Sequence, residues 1–123
     1  MFVALLVGIT ACGPSRSSAG GGSSTQISRS EIVAVPDRSA YTLIRLLRPR
    51  WLTARLKATP GNPTPAYAHV YLDQLSYGPL ASLYDISSNT IDEIHYISTL
   101  DATTLYGTGY VGGVIHVFTR TGR

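Results

Sequence analysis

The run Gly113-Val114-Ile115-His116-Val117-Phe118-Thr119 does most to constrain the fold. Its β-branched and aromatic residues favour a strand, and apolar side chains fall on both of its faces because successive residues point to opposite sides. A strand of that kind belongs inside a sheet that is covered above and below. The rest of the chain must therefore supply both neighbouring strands and a covering layer. At 123 residues there is room for one small domain, and none for a transmembrane barrel with its many ~10-residue strands. Hydrophobic residues make up 44% and charged residues 14%, which is enough apolar surface to exclude disorder along the whole chain. The net charge of +3 is mild for a nucleic-acid binder, and no nucleic-acid partner is expected.

The N-terminal end reads as processing signal rather than fold. Phe2 to Val7 are almost entirely apolar, too short a run to cross a ~30 Å hydrocarbon core. The run closes on Ile9-Thr10-Ala11-Cys12, an aliphatic residue three before a cysteine and then two small residues. This resembles the lipobox of bacterial lipoproteins, which implies cleavage before Cys12 and a diacylglycerol thioether on its sulfur. On that reading residues 1–11 are a signal peptide, 12–29 a lipidated Gly/Ser-rich tether, and 30–123 the folded domain. The other reading of Cys12 is a buried free thiol. As the only cysteine it makes neither an internal disulfide nor a cysteine zinc site.

Local patterns mark out the elements. Ser39 can cap a helix whose Tyr41, Leu43, Ile44 and Leu47 share one face. Pro49 ends or bends it and can open a second turn carrying Trp51 and Leu52. Ala58 to Ala66, with three prolines, is a loop. Ala68 to Leu72 reads as a strand closed by Asp73 and a turn toward Gly78. Pro79 suits the first position of a short helix through Leu80, Leu83 and Tyr84. Glu93 to Ser98 is a strand, and Asp101 can cap a helix over Ala102 to Tyr106. The expected architecture is a small α+β domain with a short mixed sheet.

Several of these positions occur in a familiar order: Tyr71-Leu72-Asp73, Leu80 and Leu83, Ile91 and Ile94, Asp101-Ala102, Tyr106-Gly107, then Gly113-Val114-Ile115 with Val117 and Thr119-Arg120. They resemble the C-terminal half of the plug domain of TonB-dependent outer-membrane receptors. That family has a V-D-G strand end, an I-x-x-I strand entry, an A-x-x-L-Y-G helix end and a G-V-I-x-V-x-T strand. Gln74 departs from it, standing where glycine is usual. The resemblance implies a plug-like fold in an outer-membrane setting, with Asp73, Tyr106, Gly107, Gly109, Gly112 and Gly113 as motif positions. Combined with the lipobox, it implies a non-enzymatic protein anchored on the periplasmic face of the outer membrane, with surface exposure left open. Its partner would be an outer-membrane protein or a component of the TonB system. The alternative is a stand-alone module that captures a small ligand, a siderophore or a glycan.

Other features carry two readings each. Glu31-Ile32-Val33-Ala34-Val35 weakly resembles a Ton box, which would pair as an extended strand with the energising protein; it also suits a first strand or helical turn that buries Ile32 and Val35. Arg45, Arg48, Arg50, Arg55 and Lys57 could meet anionic lipid or lipopolysaccharide phosphates, or form a solvated helix face. Gly107-x-Gly109-x-x-Gly112 matches the dinucleotide fingerprint by letters only, because a helix precedes it and a strand follows. His69, His95 and His116 fall in three different strands without metal-ligand spacing, so neither a metal nor a cofactor is expected. Asp92 and Glu93 are adjacent and point apart. The eight tyrosines suit half-buried packing, or a platform for a sugar or aromatic ligand.

Overall fold

A computed structural model describes residues 23–57, 61 and 64–121; Cys12, the signal segment and the tether as far as residue 22 lie outside the described residues. Along the chain come β1 (Gln26–Ile27), α1 (Arg29–Val33), α2 (Ala40–Leu47), β2 (Arg55–Lys57), β3 (Thr64–Ala66), β4 (His69–Leu72), β5 (Leu75–Gly78), β6 (Ile91–Ile97), α3 (Thr99–Tyr106) and β7 (Val114–Thr119). Short 3₁₀ turns occupy Pro49–Leu52, Leu80–Asp85 and Ser88–Thr90. The class is α+β, as the patterning predicts.

β7 is the middle strand of a five-stranded mixed sheet ordered β1-β6-β7-β4-β5, in which β4 and β7 run parallel and the other pairs antiparallel. β2 and β3 form a separate hairpin. Alternation along the strands separates two faces. Val70, Ile94, Ile115 and Val117 join Leu43, Ile44, Trp51, Leu83 and Ile86 in the main core. On the other face Tyr71, His116 and His95 stand side by side in register, with α3 against them through the stacking of Tyr106 on Tyr71.

α2 forms as its sequence dictates. The Ser39 hydroxyl accepts the Thr42 N–H at 3.3 Å, and Ala40, Leu43 and Ile44 are buried. Pro49 forces Arg48 out of the helical region, to φ −142°, and starts the 3₁₀ turn that buries Trp51.

Five expectations need correction. Thr64–Ala66, expected as the end of a loop, is the strand β3, which Pro65 can join because it lies in an isolated two-stranded hairpin. Ordered chain begins before Ser30: Gln26 and Ile27 pair with His95 and Ile94, and Ile27 is fully buried. The turn after Asp73 is tight, so Leu75–Gly78 returns as an extra strand rather than a loop. α3 starts one turn earlier than expected, capped by Ser98, whose hydroxyl accepts the Asp101 N–H at 3.2 Å. Pro79 is the residue before its 3₁₀ turn and not the first within it.

Candidate functional site

Five of the six plug-like motif positions serve turns or close packing, and the sixth, Gly109, takes φ of +112° in open space. Asp73 and Gln74 take φ of +52° and +92°, the pattern of a type I′ turn, and link β4 to β5. The Asp73 carboxylate accepts the Thr119 N–H at 2.7 Å and the Thr119 hydroxyl at 2.6 Å, while its own N–H donates to the Val117 carbonyl at 2.9 Å. The hairpin is thereby tied to the end of β7. Tyr106 closes α3, and Gly107, at φ +92°, turns the chain away. Gly112 needs no unusual dihedral; a side chain there would meet the Tyr67 carbonyl at 2.2 Å. Gly113 combines φ of +81° with close approach to Ile97 and Tyr96.

Behind these turns lies an aromatic and histidine face that strand register assembles. Tyr71 shares a 2.9 Å hydroxyl hydrogen bond with Tyr110 and stacks on Tyr106 at 4.6 Å. The bond to Tyr110, reinforced by burial, pushes the Tyr71 phenol up to about 12. His95 pairs directly across from His116, and Phe118 stacks on His116 at 4.1 Å. His116 Nε2 is buried without a hydrogen-bond partner; His95 Nε2 lies 3.3 Å from Glu93 Oε1, outside hydrogen-bond geometry. Burial, and then the neighbouring His95, hold the His116 imidazole below its ordinary range, against the opposing pull of Asp73. His69 is lowered by burial, and its Nε2 lies 2.7 Å from the Ser76 hydroxyl. Among the described residues no group of three His, Cys, Asp or Glu side chains could hold a metal ion.

The two other candidate segments are arranged differently from a simple exposed strand or stripe. Glu31, Ile32 and Val33 lie in α1 and Ala34 caps its end; Ile32 is buried and Val35 packs against the core. Presenting this segment as an extended strand would require α1 to unfold. The basic residues do not share one helix face. Arg45 is on α2, Arg50 on the following turn, and Arg55 and Lys57 on β2. Arg48 turns inward to Glu31 at 2.8 Å and to the Ser23 and Gln26 carbonyls at 3.0 and 3.3 Å. Burial works to raise the Glu31 carboxyl, but the Ser28 N–H and Arg48 outweigh it and hold it below the usual carboxylate range.

An apolar groove of about 360 Å³ is lined by Tyr41, Tyr67, Pro79, Leu80, Ala81 and Tyr84. Tyr41, half-buried against the core, stacks on Tyr84 at 4.2 Å, so the exposed rings of the groove are Tyr84 and Tyr67. Tyr67 and Tyr84 are 55% and 57% exposed. Burial and then the Tyr41 hydroxyl push the Tyr84 phenol up, and the Arg45 guanidinium works against them. The sequence pattern puts Tyr41 on the apolar face of α2 and Tyr84 in a short helix, and leaves Tyr67 just past a loop. The abundance of tyrosine was the one sequence signal for a platform, and it carried no position. Such a groove can bind flat or apolar groups. No protein-family profile, curated protein or solved structure matches the chain.

Proposed function

We propose that the chain is a lipid-anchored, plug-like, non-enzymatic binding module at the periplasmic face of the outer membrane, engaging an outer-membrane protein or a component of the TonB system. One observation carries this reading. Asp73, Tyr106, Gly107, Gly112 and Gly113 are taken up by turns and close packing, whereas the tyrosine groove, seated on the core through Tyr41 and Leu80, presents the Tyr67 and Tyr84 rings to solvent. Exposed aromatic surface of that kind is typical of protein contacts. A photo-crosslinking amino acid at Tyr84, in outer membranes of the native host, tests the proposal. A discrete adduct with an outer-membrane protein, lost on Tyr41→Ala, supports it; the absence of any adduct overturns it.

The groove's size favours a second reading, since about 360 Å³ falls in the range of small-molecule sites. Here the protein captures a ring-bearing ligand such as a glycan or siderophore. Quenching of tyrosine fluorescence by such ligands, in the absence of any protein adduct, would favour it.

A further inference from the structure

The sheet has two edges, and the chain treats them differently. At the β1 edge side chains cover the backbone. Arg48 donates to the Ser23 and Gln26 carbonyls, and Trp51 Nε1 donates to the Ser24 carbonyl at 3.1 Å. At the β5 edge no described residue provides such cover. β5 consists of Leu75, Ser76, Tyr77 and Gly78, without charge or proline, and Leu75 is 74% exposed. Edge strands are ordinarily guarded by charge, proline, bulges or a covering element; the guard here is a register irregularity that skips Tyr77.

Backbone geometry says which groups are open. Leu72 and Leu75 close the two-residue hairpin and share its hydrogen bonds. Ser76, next in register opposite Tyr71, therefore turns its N–H and C=O outward. At its far end the strand runs into the tyrosine groove, because Pro79, Leu80 and Ala81 on one wall follow Gly78 directly. Tyr67, also in the wall, lies just ahead of β4, whose Val70 pairs with Gly78.

We propose that the β5 edge and the tyrosine groove form one docking site for an extended peptide segment of a partner protein. The segment adds a strand to β5 and lays an aromatic or long aliphatic side chain against Tyr84 and Tyr67. Arg45 follows Tyr41 by four residues on α2 and so shares a helix face with that groove residue, which favours an acidic group next to the anchor. Two observations select such a peptide over a second copy of this chain. Self-pairing through a four-residue strand falls well short of the ~800 Å² per partner of a stable interface, and it leaves the groove empty. This inference rests on the partner-binding reading and specifies the form of the partner.

The test uses the full chain and an acetylated octapeptide of alternating threonine and valine that ends in phenylalanine and aspartate. Its control is the same peptide N-methylated at alternate residues, which cannot complete a ladder. Binding should slow hydrogen exchange of the Ser76 amide by about tenfold or more, and the methylated peptide should not. Ser76→Pro removes the outward N–H at an edge position that tolerates proline, and it should abolish binding. Tyr84→Ala should weaken binding by about tenfold. Should Ser76→Pro lower the melting temperature, the methylated peptide still decides the matter on the unaltered protein. No binding, binding indifferent to methylation, or protection of Ser76 that grows with protein concentration alone would each overturn the proposal. If the peptide fails while the Tyr84 cross-link persists, strand addition is wrong and partner binding stands; if both fail, both are wrong.

Discussion

Gln74 holds φ of +92° at the second turn position, where the plug-domain motif has glycine. An L side chain pays for that conformation in strain, and glycine does not. Gln74→Gly should therefore raise stability by about 1 kcal/mol after the entropy of the freer unfolded chain is set against it, read as a higher midpoint in urea. A lower midpoint would mean that the glutamine side chain holds the turn. Asp73→Ala removes the acceptor of both Thr119 bonds and should cost about 1–3 kcal/mol. The glycines divide by cause. Gly112→Ala pushes a methyl group to 2.2 Å from the Tyr67 carbonyl and should cost about 3 kcal/mol or more. Gly109 faces open space, yet its φ of +112° strains any L side chain, and Gly109→Ala should cost about 1–2 kcal/mol. The glycine cluster is legible in the sequence, but which glycine serves a dihedral and which a close approach depends on residues far along the chain.

At the scale of elements, the β6–β7 pair has a consequence for acid stability. His116 has a lower pKa folded than unfolded, so the unfolded chain binds the proton more readily. Its contribution to stability is complete above the ordinary value of 6.5 and is lost as pH falls below it through the lowered folded value. His69 acts in the same direction. The melting temperature should fall between about pH 7 and pH 5, and His116→Gln should flatten that slope; an unchanged slope would assign it to another group. Glu31 acts at lower pH. Its depressed carboxyl stabilises the fold above about 4.5 and ceases to do so as pH falls through the folded value. Elements with local signals, α2 with its serine cap and β7 with its apolar run, are legible from the sequence. β5 is not, because Asp73-Gln74 lacks the glycine that announces a two-residue hairpin.

For the whole molecule, the centre of the sheet and the membrane anchor give separate tests. Ile115 is wholly buried in the middle strand, and Ile115→Asp places an unpaired charge in the core. The cost should be several kcal/mol, comparable to the ~5–15 kcal/mol that stabilises a whole domain, so circular dichroism should find the variant unfolded or melting far lower. The anchor depends on the proposed lipidation of Cys12, the single cysteine. Cys12→Ala should eliminate labelling by a fatty-acid analogue and release the protein from membrane pellets; persistent labelling would refute the lipobox.

The sequence by itself determined what depends on neighbours a few residues apart: the α+β class, the capped helix at Ala40–Leu47, the buried strand at Val114–Thr119 and the glycine turn between α3 and β7. Periodicity, caps and turn residues act over such distances, so they can be read without the fold. Only the tertiary structure decided which elements adjoin. Ile27 enters the core because β1 finds β6, and His95 meets His116 because β6 and β7 align in one register. The tyrosine groove joins residues 41, 67, 79–81 and 84, and no spacing in the chain relates them. Strand pairing and helix docking are set by how the apolar faces close on one another, and a linear pattern holds no record of that choice until the chain has folded.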